Sequence, residues 1–363
     1  MSESDRRISL TTDSLLLIVG LALALLMLWQ LRGLILILMS AIVLAASIAP
    51  IVNQLEAWRF PRWLGVLVAY GGLLAILTGA SLLVGPLVIS QIETLLRQLP
   101  NLVERVELLS IDIAEQLDLQ DSPLLPQLVN PQEVAGWVIN TSQQLLRQSY
   151  GITRGIVGGF FSVVLGLLLS SYLVADSKTL GRGFVRLFAA PWDDRLAALL
   201  GPVGQRMGAY IRGRVLVSLL LGIAIALGLR ALGLGDYAIG LGAIAGFTNL
   251  IPFLGPFLGA IPALFVALAQ GDSAWLFLWV LLLFVIIQNL ESYVLDPLLV
   301  GAAVGIHPLY QLLAVLGGVQ LLGIVGAVIA PPWIAGAALL LERLYLQPKD
   351  LAKQGLPPEA SQP

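Results

Sequence analysis

Long stretches without charge dominate the pattern of hydrophobic and polar positions along this chain. Six of them run for 15 to 30 residues, about the length that an α-helix needs to cross the ~30 Å hydrocarbon core of a membrane. These six predicted transmembrane helices cover residues 15–29, 33–49, 63–92, 155–175, 215–229 and 273–290. Arg32 and Pro50 delimit the first two, which we interpret as a tight pair of spans.

Two further uncharged stretches are too long to be single transmembrane helices. Residues 237–271 and 297–341 comprise 35 and 45 residues, so straight helices would measure about 50 and 70 Å. The first contains three prolines between Ile251 and Pro262, and the second contains several glycines followed by Pro331-Pro332. Because proline removes a helical donor and clashes with the preceding turn, each stretch predicts either a re-entrant helical hairpin or two spans.

Composition supports this interpretation. The chain has 363 residues, of which 58% are hydrophobic and 12% charged, whereas a soluble domain has about 25% charged residues. We therefore predict an all-α, polytopic integral membrane protein with six transmembrane helices and two broken hairpins. The lack of cysteine and the single histidine exclude disulfides, cysteine nucleophiles and a histidine-rich metal centre. A net charge of −2 offers no basic surface to nucleic acid.

The charged segments divide the chain into five predicted regions. Transmembrane helices 1–3 (residues 1–92) precede a helical insert outside the cytoplasm (93–150), and helices 4 and 5 follow with a basic cytoplasmic segment (151–235). A transport region with two broken helices (236–345) and a C-terminal tail (346–363) complete the chain. Basic residues mark cytoplasmic segments, so we expect both termini in the cytoplasm. These basic residues are Arg6, Arg7, Arg59, Arg62, Lys178, Arg182, Arg186, Arg195, Arg206, Arg212 and Arg214.

Three segments carry patterns of their own. No small-residue cleavage site precedes Arg32, so the first stretch is expected to be a retained span rather than a secretory signal. In the insert, apolar residues recur every seven positions from 92 to 113, and Pro100 marks the start or a kink of that helix. This repeat fits either a helical hairpin folded on itself or a contact between protomers. Residues 184–208 combine arginines, Trp192 and an apolar stripe, which predicts a helix in the cytoplasmic membrane interface.

Polar residues in the transport region are few, and they gather at the predicted breaks and at the end of the last single span. A carboxylate at membrane depth is costly unless it is paired or hydrated, and freed backbone groups at broken helices can bind polar solutes or cations. The candidate substrate- or ion-binding residues are Thr248, Asn249, Pro252, Gly255, Pro256, Gln288, Asn289, Glu291, Asp296, His307 and Gln320. Our hypothesis is that Asn249, the 252–256 break, Gln288, Glu291 and Gln320 face one cavity.

Several of these residues also have a structural interpretation. Glu291 is close to the end of its span and fits the membrane interface as well as a transport site. Asp296 precedes a proline, which favours a turn that ends the helix, with the carboxylate bonded to exposed amides. His307 fits a turn as well as a proton carrier. Glycines at the breaks also allow close helix packing, although the prolines make packing alone an incomplete explanation.

The two breaks resemble each other weakly, and together they resemble a known family. Gly246-Phe-Thr-Asn-Leu250 can be aligned with Gly317-Gly-Val-Gln-Leu321, and paired interrupted helices are typical of transporter sites. The sequence Asn249-Leu-Ile-Pro-Phe-Leu-Gly-Pro-Phe-Leu-Gly-Ala-Ile-Pro262, followed by Asp296-Pro-Leu-Leu-Val-Gly301 and His307-Pro-Leu309, resembles the autoinducer-2 exporter family of bacterial membrane permeases. The order of the spans and the insert agrees over nearly the whole chain.

This resemblance implies a transporter of the bacterial inner membrane. Some relatives are assigned export of a small furanone-like signal, and others exchange sodium for protons. The resemblance also implies homo-oligomers, pentamers among them, and a mobile transport unit built around the two broken segments.

Three functions therefore stay open. The function that we expect is gradient-driven or facilitated export of a small polar organic solute, and the alternative is a sodium (cation)/proton antiporter in which Glu291 or Asp296 alternates between a proton and a monovalent cation. A membrane scaffold is the third, although a scaffold needs no irregular backbone at membrane depth. The sequence contains no pair of catalytic residues that would indicate an enzyme. No nucleotide-binding motif is present, so we expect no cofactor and a flux that gradients drive.

Overall fold

The structure is a computed structural model of the chain, and it describes residues 12–116, 161–270, 274–301 and 307–353. Within these ranges the chain is helical and contains no β-strand, as the sequence predicts. The helices are α1 (Thr12–Gln30), α2 (Arg32–Ala57), α3 (Arg62–Gln116), α4 (Phe161–Ala175), α5 (Ser177–Val185), α6 (Trp192–Ala231), α7 (Gly235–Thr248), α8 (Gly255–Gln270), α9 (Ala274–Leu290), α10 (Pro308–Leu341) and α11 (Gln347–Lys353). A π-helical segment, Glu291–Gly301, continues α9, and a second one, Glu342–Leu346, joins α10 to α11.

The described helices confirm a polytopic, all-α membrane protein. Five of them are long and apolar enough to cross a membrane, and the number rises to six if α4 and α5, which meet at 82°, count as one bent span. The five stretches are Arg32–Ala57, Arg62–Gln91, Trp192–Ala231, Trp275–Gly301 and Pro308–Lys349. Four of them contain predicted spans, and the fifth covers most of the second broken stretch, where the helix is interrupted at Gly323.

α1 and α2 do not form the tight pair of spans that we predicted around Arg32. Leu31 separates the two helices and keeps nearly helical dihedral angles, φ −84° and ψ 2°. The Leu31 amide donates to the Met27 oxygen and the Ile35 amide donates to the Leu31 oxygen, both at 2.9 Å, so helical hydrogen bonding continues across the junction. Pro50 also lies inside α2. The prediction was wrong because one arginine, whose long side chain can extend to the interface, does not interrupt a helix.

α3 and α6 are both longer than a bilayer is thick. They contain 55 and 40 residues, which corresponds to about 80 and 60 Å. α3 stays helical through Pro100, so no helix starts there; the side chains of the seven-residue repeat and residues 117–150 of the insert lie outside the described part. α6 begins at Trp192 and absorbs most of residues 184–208. Residues 192–208 of the predicted interfacial segment are thus helical, as the first turns of a longer helix; their position in the membrane interface stays a prediction.

The buried apolar side chains form two cores. The first core joins α2, α3 and α4, and it consists of Ala45, Ile48, Val52, Val66, Ala69, Tyr70 and Val174. The second core is larger and is built around α6. It consists of Tyr210, Val217, Leu221, Ile225, Leu229, Leu234, Tyr237, Ala238, Leu241, Ala245, Ala263, Val266, Ala267, Val280, Phe284, Ile287, Val300 and Ala335. The second core therefore unites α6 with both broken stretches.

α6 packs on α2 at a carbonyl group that a proline leaves without its helical donor. Pro50 has no amide hydrogen to donate to the Ala46 oxygen. Arg212 of α6 donates to that oxygen at 3.4 Å and to the Ser47 oxygen at 2.9 Å. Gly208 lies so close that an added Cβ would be 2.1 Å from the Ala46 oxygen. These contacts determine the register of α6 against α2.

The first broken stretch forms a helical hairpin of α7 and α8, with its turn at residues 249–254; we call it the first hairpin. Phe253 has a φ of 65°, a left-handed conformation that a tight turn can require. The Thr248 hydroxyl lies 3.0 Å from the Gly255 oxygen, and Gly259 packs against α7, so the two arms run antiparallel. The break falls where the proline spacing predicts it.

The second broken stretch folds back within α10, and we call it the second hairpin. Gly323, with φ 68° and ψ −156°, interrupts the helix in a conformation that glycine tolerates. The backbones of Gly318 and Gly326 touch on either side of this turn, because a Cβ on Gly326 would lie 2.2 Å from the Gly318 oxygen. The arms of both hairpins are about 21–27 Å long, shorter than the ~30 Å core. This geometry supports the re-entrant alternative for both stretches.

We expect Gly208→Ala to lower the melting temperature of the detergent-solubilised protein, because its Cβ would overlap the α2 backbone. Overpacking of this kind costs about 1–3 kcal/mol. Gly204→Ala on the same helix is the matched control, since a Cβ there meets nothing within 4 Å and alanine favours a helix by up to about 1 kcal/mol. Equal melting temperatures for the two variants would contradict the packing of α6 on α2.

Candidate functional site

Three polar side chains that are distant in the sequence meet inside the protein. Arg214 comes from α6, Asn249 from the end of α7 and Glu291 from the start of the π segment, and their exposed fractions are 3%, 2% and 4%. Asp296 joins them from the next turn of the π segment, with 40% of its side chain exposed. We call these four residues the Arg214 cluster. Buried charges of this kind persist only when they are paired and hydrogen-bonded.

Arg214 is the centre of the hydrogen bonding. Its Nη1 donates to Glu291 Oε1 at 2.9 Å and to Asp296 Oδ1 at 3.3 Å, and its Nη2 donates to Asn249 Oδ1 at 3.2 Å. Asn249 Nδ2 closes the ring by donating to Glu291 Oε1 at 3.1 Å. The tip of the first hairpin, α6 and the π segment are therefore tied to one guanidinium group.

The π-helical segment explains how two acids five positions apart reach the same arginine. Residues five apart lie about 140° from each other around an α-helix, whereas i→i+5 hydrogen bonding brings Glu291 and Asp296 onto one side. The segment rests on α6, since a Cβ on Gly213 would lie 2.2 Å from the Leu299 oxygen. Pro297 is accommodated inside the segment. The prediction that Asp296 ends the helix in a turn was therefore wrong.

The cluster contains more negative than positive charge. Two carboxylates face one guanidinium group, so its formal charge is −1 when both acids are ionised. Glu291 Oε1 accepts both hydrogen bonds of that side chain, and Oε2 receives none from the described residues. Arg214 Nε is buried and has no acceptor in the same part of the chain. Buried polar groups are normally satisfied, so Arg214 Nε is an exception within the cluster.

A small cavity lies beside Asn249 and Glu291. Its volume is about 20 Å³, and one water requires roughly 10–15 Å³ by the same measure, so the cavity has room for one or two waters. Pro256 and Gln288 also line it, and the rest of the lining is apolar: Leu221, Ile225, Ala245, Phe284 and Ile287. No three His, Asp or Glu side chains in the described ranges are placed to hold a metal ion.

The structure brings some of the predicted site residues together and separates others. Asn249, Pro256, Gln288 and Glu291 line the cavity, and Gln288 also donates to the Ser292 hydroxyl at 3.3 Å. The residues that build the turn of the first hairpin beside the cavity are Thr248, Pro252 and Gly255.

Three of the predicted site residues lie elsewhere. Asn289 is exposed and donates to the Val285 oxygen of its own helix at 2.7 Å. Gln320 is exposed and does not line the cavity, because its arm of the second hairpin points it outwards. His307 caps α10, where Nδ1 accepts a hydrogen bond from the Leu309 amide at 3.2 Å, in agreement with the turn interpretation.

Sequence analysis missed the central role of Arg214, which it counted among the cytoplasmic charges. The positive-inside rule treats every arginine near the end of a span alike, and Arg214 directly precedes a predicted span. Two signals were available. A buried Glu291 requires a basic partner, and small residues flank the arginine, with Gly213 before it and Ser218 one turn after it. Both small residues let neighbouring backbones approach.

Known proteins match this chain over most of its length. The family described as AI-2E family transporter matches residues 17–345. YrrI of Bacillus subtilis (strain 168), named as a transport protein, is 30% identical over 311 residues, which cover 81% of this chain and 82% of YrrI. YueF of the same strain, named likewise, is 28% identical over 289 residues, 78% of this chain and 76% of YueF. PerM of Escherichia coli (strain K12), named as a permease, is 27% identical over 288 residues, 78% of this chain and 79% of PerM.

Arg214→Gln is expected to destabilise the protein strongly, because it leaves a buried carboxylate without its cation. Removing one partner of such a pair costs about 3–5 kcal/mol, whereas replacing both by apolar residues is often close to neutral. The double variant Arg214→Met, Glu291→Met should therefore melt above Arg214→Gln in detergent. Arg97→Gln is the control, since its exposed pair with Glu93 spans 3.9 Å and is worth less than about 1 kcal/mol. Equal melting of Arg214→Gln and Arg97→Gln would rule out the buried cluster.

His307→Ala is expected to lower stability by about 0.5–2 kcal/mol, the usual cost of losing a helix cap. His307→Asn supplies another side chain that can accept the Leu309 amide, and should stay close to the wild type. Thermal unfolding measures the stability of both variants, and proteoliposome assays measure their transport. Loss of transport in a stable His307→Asn variant would instead make this histidine a proton carrier.

Proposed function

Because the chain belongs to the AI-2E family of transporters, we propose that it moves a small cargo across the bacterial plasma membrane along ion or solute gradients, with the Arg214 cluster as its binding and coupling site. The observation that carries this proposal is a buried cluster with an excess negative charge, located at the tip of a broken helix and next to a water-sized cavity. Interrupted helices that meet ionisable groups within the membrane are typical of secondary transporters.

Exchange of a monovalent cation for protons is the function that this geometry supports best. The open Oε2 of Glu291, together with the amides of Asn249 and Gln288, offers oxygen ligands beside the cavity. Oxygen ligands suit hard cations. A cavity of about 20 Å³ has room for one or two waters or for a small cation.

Arg214 acts in this mechanism as an internal cation that competes with the cargo. In the observed arrangement its guanidinium group neutralises part of the charge of Glu291 and Asp296. A cation at Glu291 weakens this pairing, and a proton on either acid removes one of the charges that attract the cation. Because one negative charge is left over, the cluster takes up one proton or one monovalent cation. The expected stoichiometry is therefore one for one.

Export of a small polar organic solute is the second candidate, and the polar groups at the hairpin tip favour it. The Arg214 Nε donor is unoccupied in the described part of the chain, and the Asn249 and Gln288 amides can each donate and accept. The turn at residues 249–254 adds backbone groups outside regular helix. Because the cavity has room for only one or two waters, binding of an organic solute requires that the first hairpin move away from the π segment. The flux of such a solute would not need to move protons.

Proteoliposomes with an internal pH dye test the first candidate. A sodium gradient should change the internal pH, and Glu291→Gln should slow that change at least about tenfold, because an amide cannot exchange a proton. Asp194→Asn, an exposed acid in the first turn of α6, is the matched control and should transport like the wild type.

The two candidates give different results in this assay. Folded, inserted wild-type protein that moves no protons in response to sodium or another monovalent cation would contradict antiport. Flux of labelled small polar metabolites that needs Arg214 and Asn249 would then support the exporter.

A further inference from the structure

The second hairpin approaches the Arg214 cluster through one polar contact among the described residues. α10 contains no Asp, Glu, Lys or Arg in its 34 residues, so it cannot influence the cluster through a charge of its own. Gln311, in its first turn, donates from Nε2 to the Tyr210 hydroxyl of α6 at 3.2 Å. The polar contact of Trp333 with the Met39 oxygen, at 3.4 Å, goes to α2 instead.

Tyr210 is placed to act on the cluster. It lies one helical turn before Arg214, so both side chains leave the same face of α6, and its exposed fraction is 1%. Arg214, one turn further along this face, holds Glu291 and Asp296. Of the other charged groups close by, Arg212 is directed to the α2 carbonyls, and the part of α2 around Ala46 contributes no charge.

We propose that Tyr210 and Gln311 are positioning residues that transmit the position of the second hairpin to Arg214 and Asp296 during transport. The inference rests on the proposed function, since it assigns two residues to the coupling of the same site. Neither side chain lines the cavity, so neither is assigned a contact with the cargo.

The hydrogen bond joins the second hairpin to the turn of α6 that leads to Arg214. Gln311 donates to the Tyr210 oxygen, and Tyr210 leaves the same helix face as Arg214. When the second hairpin moves, Gln311 moves Tyr210 and with it the turn of α6 from which Arg214 reaches Asp296, although the hairpin carries no charge.

The test measures sodium-driven proton flux in proteoliposomes for Tyr210→Phe, Gln311→Leu and the double variant. Each single change should lower the maximal flux about tenfold and leave the half-saturating sodium concentration within about twofold, because the contact does not bind the cargo. The maximal flux of the double variant should be no lower than that of either single variant, since all three variants remove the same contact.

Tyr70→Phe is the matched control. It also removes a buried tyrosine hydroxyl, one that is hydrogen-bonded to Ser170 in the first core, and it should leave the maximal flux unchanged. A wild-type maximal flux in Tyr210→Phe, or an equal loss of flux in Tyr70→Phe, would overturn the inference. Gln311→Leu changes a partly exposed position and keeps the test decisive if Tyr210→Phe does not fold.

Glu291→Gln separates the failure of this inference from the failure of the proposed function. If that variant transports like the wild type, the cluster is not the coupling site and the inference falls with it. If that variant is inactive while Tyr210→Phe and Gln311→Leu behave like Tyr70→Phe, the coupling site stands and only the role of the second hairpin is overturned.

Discussion

The pairing of one buried arginine with two carboxylates constrains the rest of this structure. Removing a guanidinium group and a carboxylate from water costs several kcal/mol per ion, and only close, well-oriented partners offset it. Arg214 obtains such partners from the first hairpin and from the π segment. These elements must therefore approach α6 together, and the glycines of α6 make that approach sterically possible.

Irregular backbone is what supplies the partners. A regular α-helix would place Glu291 and Asp296 on different sides, and an unbroken helix through residues 249–254 would not fold α8 back onto α7 and would leave no hairpin tip at Asn249. The π segment and the hairpin turn solve both problems locally. The same logic applies at α2, where a proline frees the carbonyl group of Ala46 and Arg212 binds it. Departures from ideal helix geometry are thus the places where this membrane protein makes its polar contacts.

The sequence revealed the breaks and singled out Glu291, because proline spacing and the cost of a carboxylate in a membrane are both local properties. It did not reveal Arg214 as the partner, because an arginine beside a span has the same pattern whether it faces water or protein. Asp296 was misplaced because a period of 3.6 residues was assumed where the chain is π-helical. The continuity of α1 and α2 was missed because Arg32 was taken as a boundary. Tertiary contacts decided each of these cases.

The order in which the chain is made gives the Arg214 cluster a consequence for biogenesis. Arg214 precedes Glu291 by 77 positions, which a ribosome working at about 5–20 residues per second covers in roughly 4–15 s. During this interval α6 carries an arginine without a counter-ion, and burying it at the centre of the bilayer would cost about 2.5–3.5 kcal/mol on the insertion scale. Arg214 therefore obtains its buried partners only after the first hairpin and the π segment have been synthesised. Later segments of this protein thus complete the surroundings of a side chain in an earlier one.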